Sequence, residues 1–516
     1  MKTPIAILGG GPCGLAFALM LAQRGIRSVV FEKKAGLSTH PKAMGISRRT
    51  AEIFQQLGLF DSLWEKCRHL STGDDLSLAI WAKSLVGEEL GRVPLTEPLS
   101  PLSPGPTFHC PQTLTEQTLF DALEAIAPGT VRFGHDAQLE TVDADGVTLR
   151  VNGTEEWRAD WLIAADGASS GMRHQLGIEC DGPGDMGHFI NTFFRADYGD
   201  YLKDRRALLY SALSSEFFEF FVAVNGTDQW LMHHFLQPGE SIADYSAERL
   251  RPLIQQASGR PDIPVEVISL SPWVMSPKVA REFRRGRILL IGDAAARLSP
   301  AGGLGLNTGL QSAHNLAWKL AAVVNGTASP ALLDTYPQER HGAALWVLAH
   351  TNKNSEEIFA IVQAAMADDW DKVRDLIAHN RRAGSNLGID LGIEYPAGAF
   401  IPDGTPAIPR TDPANDYVPN ARPGSRAPHF LLADGRSILS TLGKGWMLLS
   451  AGSAFSGLPA QLESRVITES AFAPLYGLKA GGAVLIRPDG YIAARWPDAP
   501  TADEVIAAQQ RLLAHE

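Results

Sequence analysis

The sequence predicts an α/β protein built in three parts: a parallel-sheet domain opening on a βαβ unit, an antiparallel sheet inserted into it, and a small α/β domain near the C-terminal end. Three observations carry that expectation. Residues 4–8 (Pro-Ile-Ala-Ile-Leu) are a continuous apolar run, as a central parallel strand requires, and a glycine-rich turn leads from them into Leu15, Ala18, Leu19 and Ala22 at helical spacing. Residues 188–275 change to longer, aromatic-rich segments. Residues 396–428 are rich in Pro and Gly, which resist helix and central strand alike, and fresh element signals follow them.

In chain order, the first helix stops at Gly25, and residues 28–31 form the second strand, ending at Glu32. Residues 161–165 and 287–291 are two further buried-strand runs, each closing on a Gly/Asp turn. Within the insertion, 188–194, 217–224 and 229–235 read as strands, the last two joined by the Asn225-Gly226 hairpin signal. Residues 308–324 and 355–382 read as helices, the first with Leu316, Leu320 and Val323 on one face. Past the boundary lie a strand at 446–450, a hairpin around Pro488-Asp489-Gly490, and a helix opened by the capping box Thr501-Ala502-Asp503-Glu504. The expected domains are 1–180 with 276–395, 181–275 as the insertion, and 400–516 as an independent tail.

Composition narrows the function. Lys and Arg total 46 against 57 Asp and Glu, a net charge of −11, which argues against binding a nucleic-acid backbone. Cys13, Cys67, Cys110 and Cys180 are widely spaced with no C-x-x-C pair, so neither a disulfide framework nor a metal site is expected. No apolar run approaches the ~20 residues that span a bilayer. The glycines at 9–11 interrupt the N-terminal apolar stretch, and no cleavage-site pattern follows. The expectation is a cytoplasmic protein that does not engage membranes.

Two motifs carry chemistry. Gly9-Gly10-Gly11-Pro12-Cys13-Gly14 matches G-x-G-x-x-G: Gly9 permits the tight turn, Gly11 lets backbone approach a pyrophosphate, and Gly14 lets helix and strand pack closely. The helix N-terminus beyond it suits an anion, and Glu32, about 20 residues on, can take a ribose hydroxyl. Residues 182–187 match the same pattern but lack a buried strand before and a helix after, and are discarded. The second motif is Asp293 at the end of a buried strand, followed by the glycine-rich entry 299–309 into a helix. It suits another stretch of an extended cofactor, its carboxylate for sugar hydroxyls and its bare N–H groups for negative charge.

Together these motifs resemble the FAD-dependent aromatic hydroxylases, flavoprotein monooxygenases of the para-hydroxybenzoate and phenol hydroxylase type, and especially their long bacterial branch. The resemblance implies an FAD-binding βαβ (Rossmann-like) domain, an inserted substrate sheet, and a C-terminal thioredoxin-like domain carried by 415–429 and 484–490. It implies that Gly9, Gly11, Pro12, Cys13, Gly14, Glu32 and Lys33 hold the ADP half of FAD. Asp166-Gly167, with Ser169 and Arg173, resembles the D-G motif associated with FAD and the nicotinamide coenzyme, and Asp293 the ribityl-binding residue. Pro300, Gly303, Gly305, Leu306 and Asn307 resemble the loop beside the isoalloxazine, where Pro300 is a catalytic candidate. Gln112 resembles a position near the flavin, and Arg48 or Arg49, ahead of residues 50–53, resembles the helix that commonly follows a mobile flavin loop; Lys42 and Arg48 join the cofactor-binding candidates. Three departures stand out: Lys42 where many relatives have Arg, Ala296 where they have His, and Ser312 where they have Asp. Lys keeps the charge but loses the planar fork.

The implied reaction is reduction of FAD by NADH or NADPH, capture of O2 as a flavin C4a-hydroperoxide, and hydroxylation of a small phenolic or polycyclic aromatic substrate. Baeyer–Villiger insertion or epoxidation stays open as an outcome, as does a flavoprotein that reduces or binds its ligand without oxygenating it. Phe217, Phe221, Trp230 and Trp273 are candidates to line the substrate pocket, and His234 to act as base, since His233 must point to the opposite face. The tail has no cysteine, so thioredoxin chemistry is excluded there, and packing or a homodimer is its expected use.

Overall fold

Strand Lys2–Leu8 lies at the centre of an eight-stranded sheet, parallel to Ser28–Glu32 on one side and to Glu155–Ala164 on the other. Ile288–Leu290 extends it beyond the latter and Val131–Phe133 beyond the former, both parallel. In the computed structural model, residues 1–70, 78–95, 101–237, 239–380, 386–452 and 454–514 are described. Ile5, Ala6 and Ile7 are wholly buried, because helix Pro12–Ala22 packs on the sheet and is itself enclosed by helices Gln112–Ile126 and Gly305–Val324. That helix is therefore apolar all round, Leu15 to Leu21, rather than striped. Among the described residues, no helix is long and apolar enough to cross a membrane, and no His/Cys/Asp/Glu cluster suits a metal.

The second sheet has seven strands, ordered Glu266–Met275, Gly187–Arg195, Gln229–Phe235, Phe218–Ala223, Leu209–Leu213, Leu78–Ala82 and Glu89–Pro94. Its last two strands come from the first 100 residues, and Leu78–Ala82 joins Leu209–Leu213 in parallel. The insertion is thus not confined to 181–275: its sheet is completed by a segment expected in the first domain. Helix Ala247–Ser258 covers one face, laying Leu250, Ile254 and Ala257 against Phe194, Tyr210, Phe221 and Trp230.

On this covered face Glu219 Oε1 lies 2.6 Å from His234 Nδ1, and Tyr245 Oη is 3.0 Å from Nε2. Burial pushes the His234 imidazolium down, but the hydrogen bond and charge of Glu219 outweigh it and hold the pKa above the ordinary histidine value. Burial raises the Glu219 carboxyl as well. Both groups bind their protons more tightly folded than unfolded, so the stability they contribute is present at low pH and is lost as pH rises through the raised values. Glu219→Gln is accordingly expected to lower the melting temperature more at about pH 5.5 than at about pH 8.5. An equal loss at both pH values in thermal melts would refute the linkage.

The helical region departs from expectation. In place of a helix over 355–382, a 32-residue helix runs Thr335–Met366 and a second runs Trp370–His379, separated where Asp368 takes a positive φ of 57°. Residues 381–382 lie outside the described residues. Pro337 sits in the first turn of the long helix, where its missing N–H costs nothing, so it did not mark a break.

The tail carries a four-stranded sheet, ordered Leu462–Ile467, Trp446–Ala451, Ala483–Ile486 and Ile492–Trp496. The capping box forms: Thr501 N donates to Glu504 Oε2 at 2.7 Å and Glu504 N to Thr501 Oγ1 at 3.2 Å. The expectation of an independent unit needs correction, because the tail shares a core with Trp318 and Leu332 and an ion network with the helices. Glu339 accepts from Arg487 Nη1 and Nη2 at 2.7 and 2.9 Å and from Lys319 Nζ at 2.8 Å, and all three side chains are fully buried. Asp489 accepts from Arg487 Nε at 2.9 Å, and Arg426 pairs with Glu52 of helix Arg48–Leu57.

Candidate active site

The turn between the first strand and helix Pro12–Ala22 can serve as an anion cradle. Gly9 has φ +102°, and a Cβ there would collide with the Ala165 carbonyl; one on Gly14 would collide with the carbonyl of Gly9. These glycines let the helix start and two strand ends meet. Gly11 has open space where a side chain would stand, and it lines a cavity of ≈ 1290 Å3. First-turn N–H groups, which serve no intrahelical carbonyl, open there. At the end of the second strand Glu32 Oε2 accepts from Gly10 N at 2.7 Å and Oε1 from Lys34 N at 2.9 Å. Pro12, Cys13, Glu32 and Lys33 line the same cavity.

Asp166 accepts from Ser170 Oγ at 2.7 Å and from Met172 N at 3.0 Å, which holds the start of helix Gly171–Gln175. The buried Arg173 beneath it donates to the Ala294 carbonyl at 3.0 Å, tying the two strand-end turns together. Asp166 and Gly167 line the cavity, as does Asp293. Desolvation among its neighbours raises the pKa of the Asp293 carboxyl, an effect partly offset by Arg297 and Lys42.

Two segments face each other across the next part of the cavity. Asn307 holds both: Oδ1 accepts from Ser47 N at 2.9 Å, and Nδ2 donates to the carbonyls of Gly303 and Gly45 at 2.8 and 3.1 Å. Pro300, Gly303, Gly305 and Leu306 present backbone to the space between them. Ser47 Oγ donates to Asp390 Oδ1 at 2.6 Å, a residue outside the sequence expectations. Gln112 Nε2 donates to Glu116 Oε1 at 2.7 Å while its Oε1 accepts from Ala43 N at 3.4 Å, fixing the segment that carries Lys42. Burial and then Lys34 lower the Lys42 pKa.

Beyond this loop the cavity is walled by the open face of the seven-stranded sheet and by the long helix. Trp81, Phe218, Phe220 and Val222 stand on the sheet side, and Ile358 and Phe359 on the helix side. Trp273 stacks on Phe189 at 4.4 Å.

Three of the four proposed lining residues need correction. Phe221 and Trp230 belong to the core under helix Ala247–Ser258, with Trp230 Nε1 donating to the Ala196 carbonyl at 3.1 Å, and Phe217 packs against that core. Only Trp273 lines the cavity. His234 shares their face, so the candidate base points away from the cavity and His233 points into it. Alternation along the strands is as expected, with Phe218, Phe220 and His233 on the cavity side and Phe217, Phe221 and His234 on the covered side. The signal that decides the sides is the apolar stripe Leu250, Ile254 and Ala257, which shows that a helix covers one face. Arg48 is also displaced: it is buried at the start of its helix, 3.4 Å from Thr107 Oγ1, and does not line the cavity. Gly14 does not line it either, and acts through helix–strand packing.

Residues 2–351 match the FAD binding domain family, and residues 420–515 the C-terminal domain of aromatic-ring hydroxylases. The chain is 33% identical to the tetracenomycin A2 monooxygenase-dioxygenase of Streptomyces glaucescens, over 99% of this chain and 97% of that protein. It is 30% identical to the 2,4-dichlorophenol 6-monooxygenase of Delftia acidovorans, over 99% and 98%. The solved structure of the flavin-dependent monooxygenase PieE, in complex with FAD and substrate, superposes with a TM-score of 0.91 at 29% identity, covering 99% of each chain.

Proposed function

The chain belongs to the FAD-binding aromatic-ring hydroxylases, and from that membership we propose that it hydroxylates a polycyclic phenol, with NADH or NADPH and O2 as co-substrates. It is an FAD-dependent monooxygenase. One observation carries the substrate class: the glycine cradle and the aromatic sheet face open into a single cavity of ≈ 1290 Å3. Ligand pockets are commonly about 300–1,000 Å3, so this one has room for an extended flat ligand beside a dinucleotide. A relative named tetracenomycin A2 monooxygenase-dioxygenase supports that reading.

The residues fit FAD. The open space at Gly11 and the helix N-terminus would hold the diphosphate, Glu32 a ribose, and the cavity-facing Asp293 carboxylate the ribityl hydroxyls. Gly303, Gly305 and Leu306 would offer backbone to the isoalloxazine, and Pro300 lines the cavity beside them. When bound and reduced, FAD supplies the electrons and the site at which O2 is activated for transfer of one atom. The chain's own contribution is to exclude water with Trp81, Phe218, Phe220 and Phe359 and to hold the ring in one orientation.

The test is NADH or NADPH oxidation by the FAD-loaded protein against a panel of phenols, naphthols and hydroxylated polycycles under 18O2. The expected result is one labelled oxygen in the organic product, with hydroxyl connectivity. Stimulated oxidation that yields only hydrogen peroxide across the panel would refute the proposal, and a labelled lactone or epoxide would redirect it.

A further inference from the structure

Strand pairing sets one row of side chains across the cavity face: Ser271, Asn191, His233, Phe220, Ser211 and Trp81 stand in register on six successive strands. Two aromatic groups flank its centre. On one side Phe220 meets Phe218 at 4.6 Å and Trp81 at 6.4 Å; on the other, Trp273 stacks on Phe189. His233 lies between them, its ring edge-on to Trp273 at 6.0 Å and 86°.

His233 is, among the described residues, the titratable group that this face of the sheet turns into the cavity. Among the described residues, neither of its ring nitrogens has a hydrogen-bond partner in the protein. Its neighbour His234, on the covered face, has both nitrogens engaged. Nearby His40 is held through Nδ1 by Ser269 Oγ at 2.8 Å. Burial, then the proximity of His40, lower the His233 pKa to about 4, so the ring is neutral at pH 7 and offers one N–H and one lone pair. The ring is half-buried and lines the cavity, where a ligand hydroxyl can reach the free lone pair.

We propose that His233 is the hydrogen-bond acceptor for a ring hydroxyl of the bound aromatic, so that the cavity selects hydroxylated over unsubstituted polycycles. The proton stays shared along the O–H···N bond, and the electron density it releases to the oxygen enriches the ring positions ortho and para to it. The neutral imidazole cannot hold that proton outright, so its role is recognition and partial activation rather than full deprotonation. This inference rests on reading the cavity as an aromatic-substrate site.

The experiment measures binding to the FAD-loaded enzyme, without turnover, by the change in flavin absorbance on adding 2-hydroxyanthraquinone or anthraquinone. Wild type is expected to bind the hydroxylated ring at least about tenfold tighter, because the analogue lacking the hydroxyl leaves the imidazole unpaired. His233→Phe is expected to bind the two alike. His233→Gln, which restores an acceptor oxygen, should recover most of the preference, and His234→Ala, on the other face of the same strand, should retain it. No preference in wild type, or a preference that survives in His233→Phe, would overturn the assignment. Labelled product without a His233-dependent preference would sink this inference alone, and a preference without any labelled product would sink the oxygenation reading alone.

Discussion

Arg487→Ala is expected to destabilise the protein by about 3–5 kcal/mol, the range for removing one partner of a buried ion pair. Arg487 holds Glu339 by two bonds and Asp489 by two more, with no side-chain exposure at Arg487 or Glu339. Burial alone would raise the Glu339 carboxyl, but Arg487 and Lys319 outweigh it and hold it below its ordinary value. Without the guanidinium, Lys319 is the cation left hydrogen-bonded to Glu339, and burial already brings it down to about 8. The network joins helix Gly305–Val324, helix Thr335–Met366 and the tail, so its loss should also split one unfolding transition into two. Urea titration followed by tryptophan fluorescence gives the midpoint, and Lys479→Ala, which breaks the exposed pair with Asp498, is the control. A loss no larger for Arg487→Ala than for Lys479→Ala would mean that the network does not couple tail to body.

Gly14→Val is expected to yield protein that purifies without FAD. Any Cβ at position 14 falls on the carbonyl oxygen of Gly9, a backbone atom at the end of a fully paired central strand, so neither partner can give way cheaply. Overpacking of this kind costs about 1–3 kcal/mol. Here the strain is relieved by moving the helix start, whose N–H groups are the proposed holders of the diphosphate. A loss of about 2–3 kcal/mol from FAD binding is on the order of 10²-fold in Kd. The readout is flavin absorbance after desalting, then FAD titration of the apoprotein with circular dichroism to verify the fold. Gly11→Ala, whose Cβ meets open space within the protein, should leave the fold intact and weaken FAD binding. Gly14→Val with undiminished FAD affinity would remove this turn from the cofactor site.

The Gly9–Gly14 turn was legible because its requirements are local. A strand, three glycines at fixed spacing and a helix start lie within adjacent residues, and the carboxylate of Glu32 follows one short helix later. The Asp293 turn and the entry to helix Gly305–Val324 were legible for the same reason. The capping box at Thr501 and the hairpin at Asn225-Gly226 also need only neighbours in sequence; Asn225 Oδ1 accepts from the backbone N–H groups of Thr227, Asp228 and Gln229.

The face on which a strand places its chemistry is not local. Phe220 and Phe221, or His233 and His234, are equivalent until something covers one side, and that cover is helix Ala247–Ser258, packed from another part of the chain. The choice between them belongs to the sheet as a whole, because a period of two fixes alternation and leaves its sign free. The same holds for Leu78–Ala82 joining the inserted sheet, for Asp390 reaching Ser47, and for Arg487 meeting Glu339. The sequence by itself determined the cofactor and the order of the elements, since both are written in short-range backbone demands. Tertiary structure alone decided which side chains line the cavity and what binds the tail to the body, since those depend on burial shared between elements that are not neighbours in the chain.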